Sequence, residues 1–270
     1  MCLAKAKRTA LGGPVAPAEL RIASLVPSAT ELLCALGLAP WLVARTGFCI
    51  HPAEALAAVP KVGGTKDVNL AKLQALRPTH VLLNVDENLL ATFEALQRWP
   101  GVELLVSHPC GPRDLPALIA QCLDAFGSLP GVRERAAALL AELGAALAQP
   151  VLAPRTVLYL IWRSPWMGVA RDTFISRQLA EAGWQSLPAV DGGERGAARY
   201  PALEPGDPVW RSADEVWLSS EPYRFGEAHV DEVRSLAPQA RVRLIDGELC
   251  SWWGPRTAQG LAYLRALHGA

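Results

Sequence analysis

The sequence predicts an α/β protein of two Rossmann-like lobes with parallel sheets, joined by one long α-helix. Three observations lead there. Apolar strands alternate with helical stretches along most of the chain, the arrangement of a parallel, doubly wound sheet. One pattern also occurs twice: an apolar strand ends in an acidic loop, an aliphatic helix and a second strand follow, and a Gly-Pro-Arg turn comes next. The first copy occupies residues 79–87, 102–107 and 111–113, and the second 215–221, 242–247 and 254–256. Between the copies, from 113 to 148, only Leu, Ile and Ala at helical spacing are found, with no strand signal. An internal echo at this spacing implies two similar lobes, and a cleft between them as the place to seek function.

Taken in order, residues 1–20 are an irregular leader holding Lys5, Lys7, Arg8, Gly12, Gly13, Pro14 and Pro17. They lack the unbroken apolar core of a secretory signal. No other stretch approaches the ~20 apolar residues of a membrane span. As written, the protein is expected in the cytoplasm; a start codon placed downstream of the true one would make it periplasmic or cell-surface.

The N-terminal α/β lobe is expected over 21–128. Residues 21–26 read as a buried strand, and a helix starts at 27–31 with Ser28 and Glu31 at capping-box spacing. Leu32, Leu33, Leu36 and Leu38 give that helix its apolar side, and Gly37 and Pro40 stop it. A second strand begins at 41–44 and ends near Cys49. Asn69 caps a short helix carrying Leu70, Leu73 and Leu76, closed by Pro78, and strands near 81–85 and 104–106 follow. The linking helix falls in 129–149, after a break at Leu129-Pro130-Gly131. Leu139, Leu140, Leu143 and Leu147 form its apolar side against Arg133, Glu134, Arg135 and Glu142. At 1.5 Å per residue such a helix is ~25 Å long, enough to bridge two lobes. The C-terminal lobe, 150–270, opens with a buried strand at 156–161. A helix from Asp172 or Thr173 to Gly183, an irregular loop at 188–207, and a last helix after Pro255 carrying Leu261, Leu264 and Leu267 follow.

Composition excludes some functions. The 270 residues are 51% apolar, enough for two separate cores, and 26 basic residues balance 26 acidic ones. With no net positive field and no Lys/Arg run, nucleic acid and anionic membranes are not expected partners. The six cysteines show no CxxC spacing, so a disulfide framework is the weaker reading, and Cys34 and Cys122 fit ordinary core positions.

Several segments resemble the helical-backbone metal receptors among the class III substrate-binding proteins, the group that holds vitamin B12-binding and siderophore-binding proteins. In the first half these are Ser24-Leu25-Val26-Pro27-Ser28-Ala29-Thr30-Glu31-Leu32-Leu33, Val62-Gly63-Gly64-Thr65-Lys66-Asp67 and Ala75-Leu76-Arg77-Pro78-Thr79-His80-Val81. In the second they are Ile161-Trp162-Arg163-Ser164-Pro165-Trp166-Met167, Arg171-Asp172-Thr173-Phe174-Ile175, Ser219-Ser220-Glu221-Pro222-Tyr223, and the stretch from Asp246-Gly247 to Trp253-Gly254. The resemblance implies two lobes on one long helix and ligand held between them with little hinge motion. It also implies a role as the substrate-binding component of an ABC importer. Cobalamin or another metal chelate is then the ligand, with no further cofactor required, and an ABC permease is the partner; the protein itself is expected to be a monomer. Transport members dock on the permease through one surface carboxylate per lobe. Here Ala71-Lys72 stands near the first such position, and Glu204 is the only counterpart near the second.

In an open parallel sheet, ligands sit beyond the carboxyl ends of the strands. That rule selects Pro27, Ser28, Cys49, His51, Asp86, Glu87, Ser107 and His108 in the first lobe. In the second it selects Trp162, Arg163, Trp166, Ser220, Glu221, Tyr223, Ser251, Trp252, Trp253 and Arg256. Trp162, Trp166, Trp252 and Trp253 suit the apolar face of a corrin or porphyrin, although one or two such indoles, Trp162 or Trp252 first, are expected to plug the lobe core. Arg163 and Arg256 suit carboxylate, amide or phosphate substituents, and Glu221 a polar ligand group. Cys49 with His51, and His108 with Cys110, lie two apart, but no zinc-type quartet is present. The metal role left to His51 or His108 is one axial contact to cobalt or iron. A cytosolic metal-chelate binding or storage protein without a permease is the alternative reading. A hydrolase using Cys49 or Ser28 is a second, but neither residue sits in a nucleophile elbow and no phosphate-binding Gly loop occurs, so an enzyme is not expected.

Overall fold

In the computed structural model, which describes residues 19–269, the chain divides into two units, each built on a four-stranded parallel sheet. The leader up to residue 18, with Cys2, lies outside the described residues. Unit 1 comprises Met1–Pro109, Asp114–Ala141 and Trp253–Pro255; unit 2 comprises Cys110–Arg113, Glu142–Trp252 and Arg256–Ala270.

The unit 1 sheet contains β1 (Ile22–Ser24), β2 (Leu42–Arg45), β3 (His80–Asn84) and β4 (Glu103–Ser107) in the order β2-β1-β3-β4. The helices α1 (Pro27–Ala35), α2 (Ala53–Leu56), α3 (Leu70–Ala75), α4 (Leu90–Leu96) and α5 (Leu115–Phe126) accompany it. Both faces of the sheet are covered, which is why β3 reads as a run of apolar residues rather than an alternation. Ala23, Leu25, Ala44, Val81, Leu83 and Leu104 form its core.

Helix α6 (Val132–Leu147) begins in unit 1 and ends in unit 2. Unit 2 then forms β5 (Arg155–Leu160), β6 (Trp166–Met167), α7 (Phe174–Glu181), β7 (Trp184–Leu187), β8 (Ala202–Leu203) and β9 (Glu215–Ser219). It closes with α8 (Glu227–Leu236), β10 (Arg241–Ile245), α9 (Gly247–Ser251) and α10 (Thr257–Gly269). Its sheet order is β10-β9-β5-β7, with β6 and β8 as a separate antiparallel pair. Counting only the strands of each main sheet along the chain, both sheets read second, first, third, fourth. The internal echo is therefore topological: β3 and β4 are matched by β9 and β10.

The two Gly-Pro-Arg turns have a further symmetry. The first belongs with unit 2, where Arg113 grips Glu181 in a bidentate pair at 2.6 and 2.8 Å, and a Cβ on Gly111 would come within 2.9 Å of the Arg177 side chain. The Gly254-Pro255 part of the second belongs with unit 1, beside Leu32. Gly254 there has φ +99°, a left-handed conformation that costs a residue with a Cβ.

Local expectations meet mixed outcomes. Asn69 caps α3, accepting the Lys72 N–H at 2.9 Å, and Thr173 caps α7 through the Ser176 N–H. The capping box at Ser28 and Glu31 does not form. Pro27, with its preset φ, takes the first turn, so the helix is capped at Val26, two residues before Ser28, and Ser28 lies inside it. The loop at 188–207 contains β8, and β7 completes the sheet where no strand was expected.

Candidate functional site

The strand order reverses between β1 and β3 in unit 1 and between β5 and β9 in unit 2, so the carboxyl ends of these strands mark the ligand-binding position of each sheet.

In unit 1 the loops at this edge are fixed from below by buried polar groups. Arg45, at the end of β2, donates to the carbonyls of Cys49 at 3.0 Å, Thr46 at 3.4 Å and Leu56 at 3.3 Å, which holds the loop 46–56. Thr30 donates to the Ser24 hydroxyl at 2.8 Å beneath the turn that carries Pro27 and Ser28. After β3, Asn84 Oδ1 accepts the N–H groups of Asp86 at 2.8 Å and Glu87 at 3.2 Å. Lys66 reaches the Asp86 carbonyl at 2.7 Å, and desolvation lowers its pKa against the opposing pull of Glu87 and Asp86. His108 Nε2 lies 3.6 Å from Asp86 Oδ2.

These loops present several large apolar side chains outward. Phe48 is 63% exposed, Ile50 48% and Val85 37%, an unusual number of large apolar side chains at the end of one small sheet. Phe48 lies against Gly64, where a Cβ would sit 3.2 Å from its ring. Of the candidates named from sequence, Pro27, His51, Glu87 and His108 are partly exposed, whereas Ser28 and Cys49 are buried. The Cys49 thiol sits 3.1 Å from the Thr46 hydroxyl, and burial raises its pKa, the opposite of what activates a nucleophile. Of the two His/Cys pairs noted in the sequence, His108 and Cys110 have separate partners: His108 faces Asp86 in unit 1, and Cys110 faces Arg199 in unit 2 at 4.0 Å. Among the described residues, no group of three or more His, Cys, Asp or Glu could hold a metal ion.

In unit 2 the four tryptophans separate by environment. Trp162, just past β5, is 41% exposed and stands edge-on to Tyr223, which follows β9. Trp166 turns into the core, stacked on Phe225 at 5.9 Å and edge-on to Trp210 at 5.7 Å. Of the two indoles expected first to plug the core, Trp162 stays exposed and Trp252 is buried, while the β6–β8 pair carries Trp166 inward as well. Trp252 and Trp253 are both buried, Trp252 in unit 2 and Trp253 in unit 1.

The charged candidates of unit 2 have partners within the unit. Arg163 forks onto Glu232 of α8, with Nε 3.0 Å from Oε2, and its guanidinium lies 4.5 Å from the Trp166 ring centroid. Arg256 pairs with Glu248 at 3.0 Å and stacks over Trp252 at 5.1 Å. Glu221 accepts the Ser251 hydroxyl at 2.6 Å and an indole bond from Trp252. Burial raises its pKa first, and the Glu248 and Asp246 charges add to that against the two hydrogen bonds. Ser219 fixes the backbone here, donating to the Glu221 carbonyl at 2.6 Å while its oxygen is 3.0 Å from the Tyr159 hydroxyl. The end of the unit 1 sheet thus presents exposed Phe48, Ile50 and Val85, and that of unit 2 the exposed Trp162 among hydrogen-bonded polar groups.

Phe48, Ile50, Val85, Asn84 and Asn88 were not singled out from sequence as site residues. Read from sequence, the second strand runs to near Cys49 and the third to Val85; they end at Arg45 and Asn84, which leaves Phe48 and Val85 in loops.

No protein-family profile matches the chain, and no curated protein matches it in sequence. Solved structures do. The periplasmic vitamin B12-binding protein BtuF of Vibrio cholerae superposes with TM-score 0.75 at 19% identity, over 91% of this chain and 95% of that one. The periplasmic haem-binding protein RhuT from Roseiflexus sp. RS-1 gives TM-score 0.73 at 24% identity, covering 92% and 97%. The periplasmic haem-binding protein HutB of Vibrio cholerae gives 0.73 at 21%, covering 93% and 99%. At these identities the likeness carries the fold alone: α/β, with parallel sheets.

Proposed function

We propose that the protein is a substrate-binding protein for a bulky, largely apolar metal chelate of the corrinoid or porphyrin kind, which it holds without chemical change. The observation that carries this reading is the set of exposed apolar side chains at the ligand-binding edges of the sheets: Phe48, Ile50 and Val85 in unit 1, Trp162 in unit 2. A flat macrocycle offers an apolar face of matching character, and rigid aromatic side chains cover it at low entropy cost. Proteins of the same fold bind vitamin B12 and haem. Within this reading the chain serves an ABC importer, and His51 or His108 is the candidate for an axial contact to the metal.

Purified protein titrated separately with aquocobalamin and haemin tests it. The expected result is a saturable change in the visible spectrum of one chelate with quenching of tryptophan fluorescence. No change with either chelate overturns the reading.

A second reading, a metal-chelate binding or storage protein without a permease, has one observation in its favour. Ala71 and Lys72 are exposed in the first turn of α3, which carries no acid, so a docking carboxylate is missing there. Recovery of the protein with a membrane permease after mild crosslinking would reject this second reading.

A further inference from the structure

We propose that Asn88 is the positioning residue of the unit 1 binding edge, a role that rests on reading that edge as the ligand surface. Asn88 is buried, and its side chain joins three segments distant in sequence. Its Oδ1 accepts the Asn84 N–H at 2.8 Å, and its Nδ2 donates to the carbonyls of Leu25 at 3.2 Å and Thr65 at 3.0 Å. The amide orientation follows from these partners, since the reverse would set an oxygen against two carbonyls.

Each segment carries one part of the edge. Leu25 leads into the turn with Pro27 and Ser28. Thr65 lies between Gly64, which supports the Phe48 ring, and Lys66, which holds the Asp86 carbonyl. Asn84 in turn orders the backbone of Asp86 and Glu87. Asn88 itself faces away from ligand, with both amide hydrogens and the carbonyl oxygen engaged. Its contribution is to hold the three loops in the bound arrangement before ligand arrives, so that binding does not have to order them.

Hydrogen exchange with and without chelate tests this on the full chain. Three variants are compared with the parent: Asn88→Ala; Asn88→Asp, which keeps the acceptor and loses both donors; and Leu104→Ala, a core truncation that destabilises unit 1 away from the edge. In both Asn88 variants amides of 63–68, and in Asn88→Ala also those of 84–88, are expected to exchange about tenfold faster, while those of β1 and of residues 80–83 keep the parent's protection; tenfold corresponds to the loss of roughly one hydrogen bond. Leu104→Ala is expected to raise exchange across the unit without that focus. The chelate that the parent binds, aquocobalamin or haemin, is expected to bind Asn88→Ala about tenfold more weakly and Leu104→Ala unchanged. Parent-like exchange at 63–68 and 84–88 in Asn88→Ala, or undiminished affinity, overturns the proposal. If the parent binds neither chelate, the functional reading falls, and the exchange comparison alone judges Asn88.

Discussion

The Trp162 indole meets the Tyr223 ring edge-on, with centroids 5.5 Å apart and planes 70° apart. Tyr223 is held from behind, its hydroxyl 3.1 Å from His229 Nε2 on α8. The pair is a braced aromatic surface whose outer member has no core to fill. Trp162→Ala is therefore expected to weaken chelate binding by about 1–3 kcal/mol, as loss of an aromatic anchor does, with the thermal midpoint nearly unchanged. Titration alongside a melting curve checks both halves; a large fall in midpoint would make Trp162 a core residue instead.

Trp166→Ala has the opposite signature. Its ring packs on Phe225 and Trp210 and lies under the Arg163 guanidinium, so truncation leaves a cavity in the unit 2 core. A cost of about 3–5 kcal/mol is expected from buried aromatic truncations. Urea denaturation measures it, and a loss below about 1 kcal/mol would contradict this packing.

Glu221 sets a pH dependence. Burial raises its native pKa above the ordinary glutamate value, so over that interval the folded protein binds more protons than the unfolded chain. Its contribution to stability is present below the unfolded value and is lost as pH rises through the raised native one. Glu221→Gln, which cannot ionise, is expected to flatten the stability profile across that window while keeping an acceptor for Ser251. Identical slopes in parent and variant would remove Glu221 as the source.

Glu215 anchors the amino-terminal end of the unit 2 sheet. Its carboxylate is fully buried and accepts Arg155 Nη2 at 2.9 Å, Arg243 Nη2 at 3.1 Å and the Trp217 indole at 2.7 Å. Removing one partner of such a network strands the others' charge. Glu215→Ala is expected to cost about 3–5 kcal/mol and Glu215→Gln less, read by denaturant unfolding. It lies at the end of β9 away from Glu221, so chelate affinity of the folded fraction should hold.

The fold was legible where local pattern decides it. Buried parallel strands such as 80–84 are written as apolar runs, and Asn69 and Thr173 announce the helices they cap. The strand Trp184–Leu187 escaped because its four residues hold two polar ones and follow directly on a helix. The site was legible as a set of loops and not as a set of roles. Trp162 and Trp166 look alike in sequence, and only the pairing of β6 with β8 decides which one faces inward. Arg163 and Arg256 read as ligand clamps because Glu232 and Glu248 are brought to them by folding. Asn88 was invisible for the same reason: its bond to Leu25 spans 63 positions.

The exchanged Gly-Pro-Arg turns bear on how the chain can be divided. A fragment ending near residue 148 would lack Trp253–Pro255, and its complement would lack Cys110–Arg113 and with it the Arg113 grip on Glu181. Each sheet keeps all four strands after such a cut, yet each product is missing a strap donated by the other stretch of polypeptide. Split versions should therefore regain native behaviour only when co-expressed, and a gene fusion that swaps one half for a foreign homologue must carry the matching strap with it.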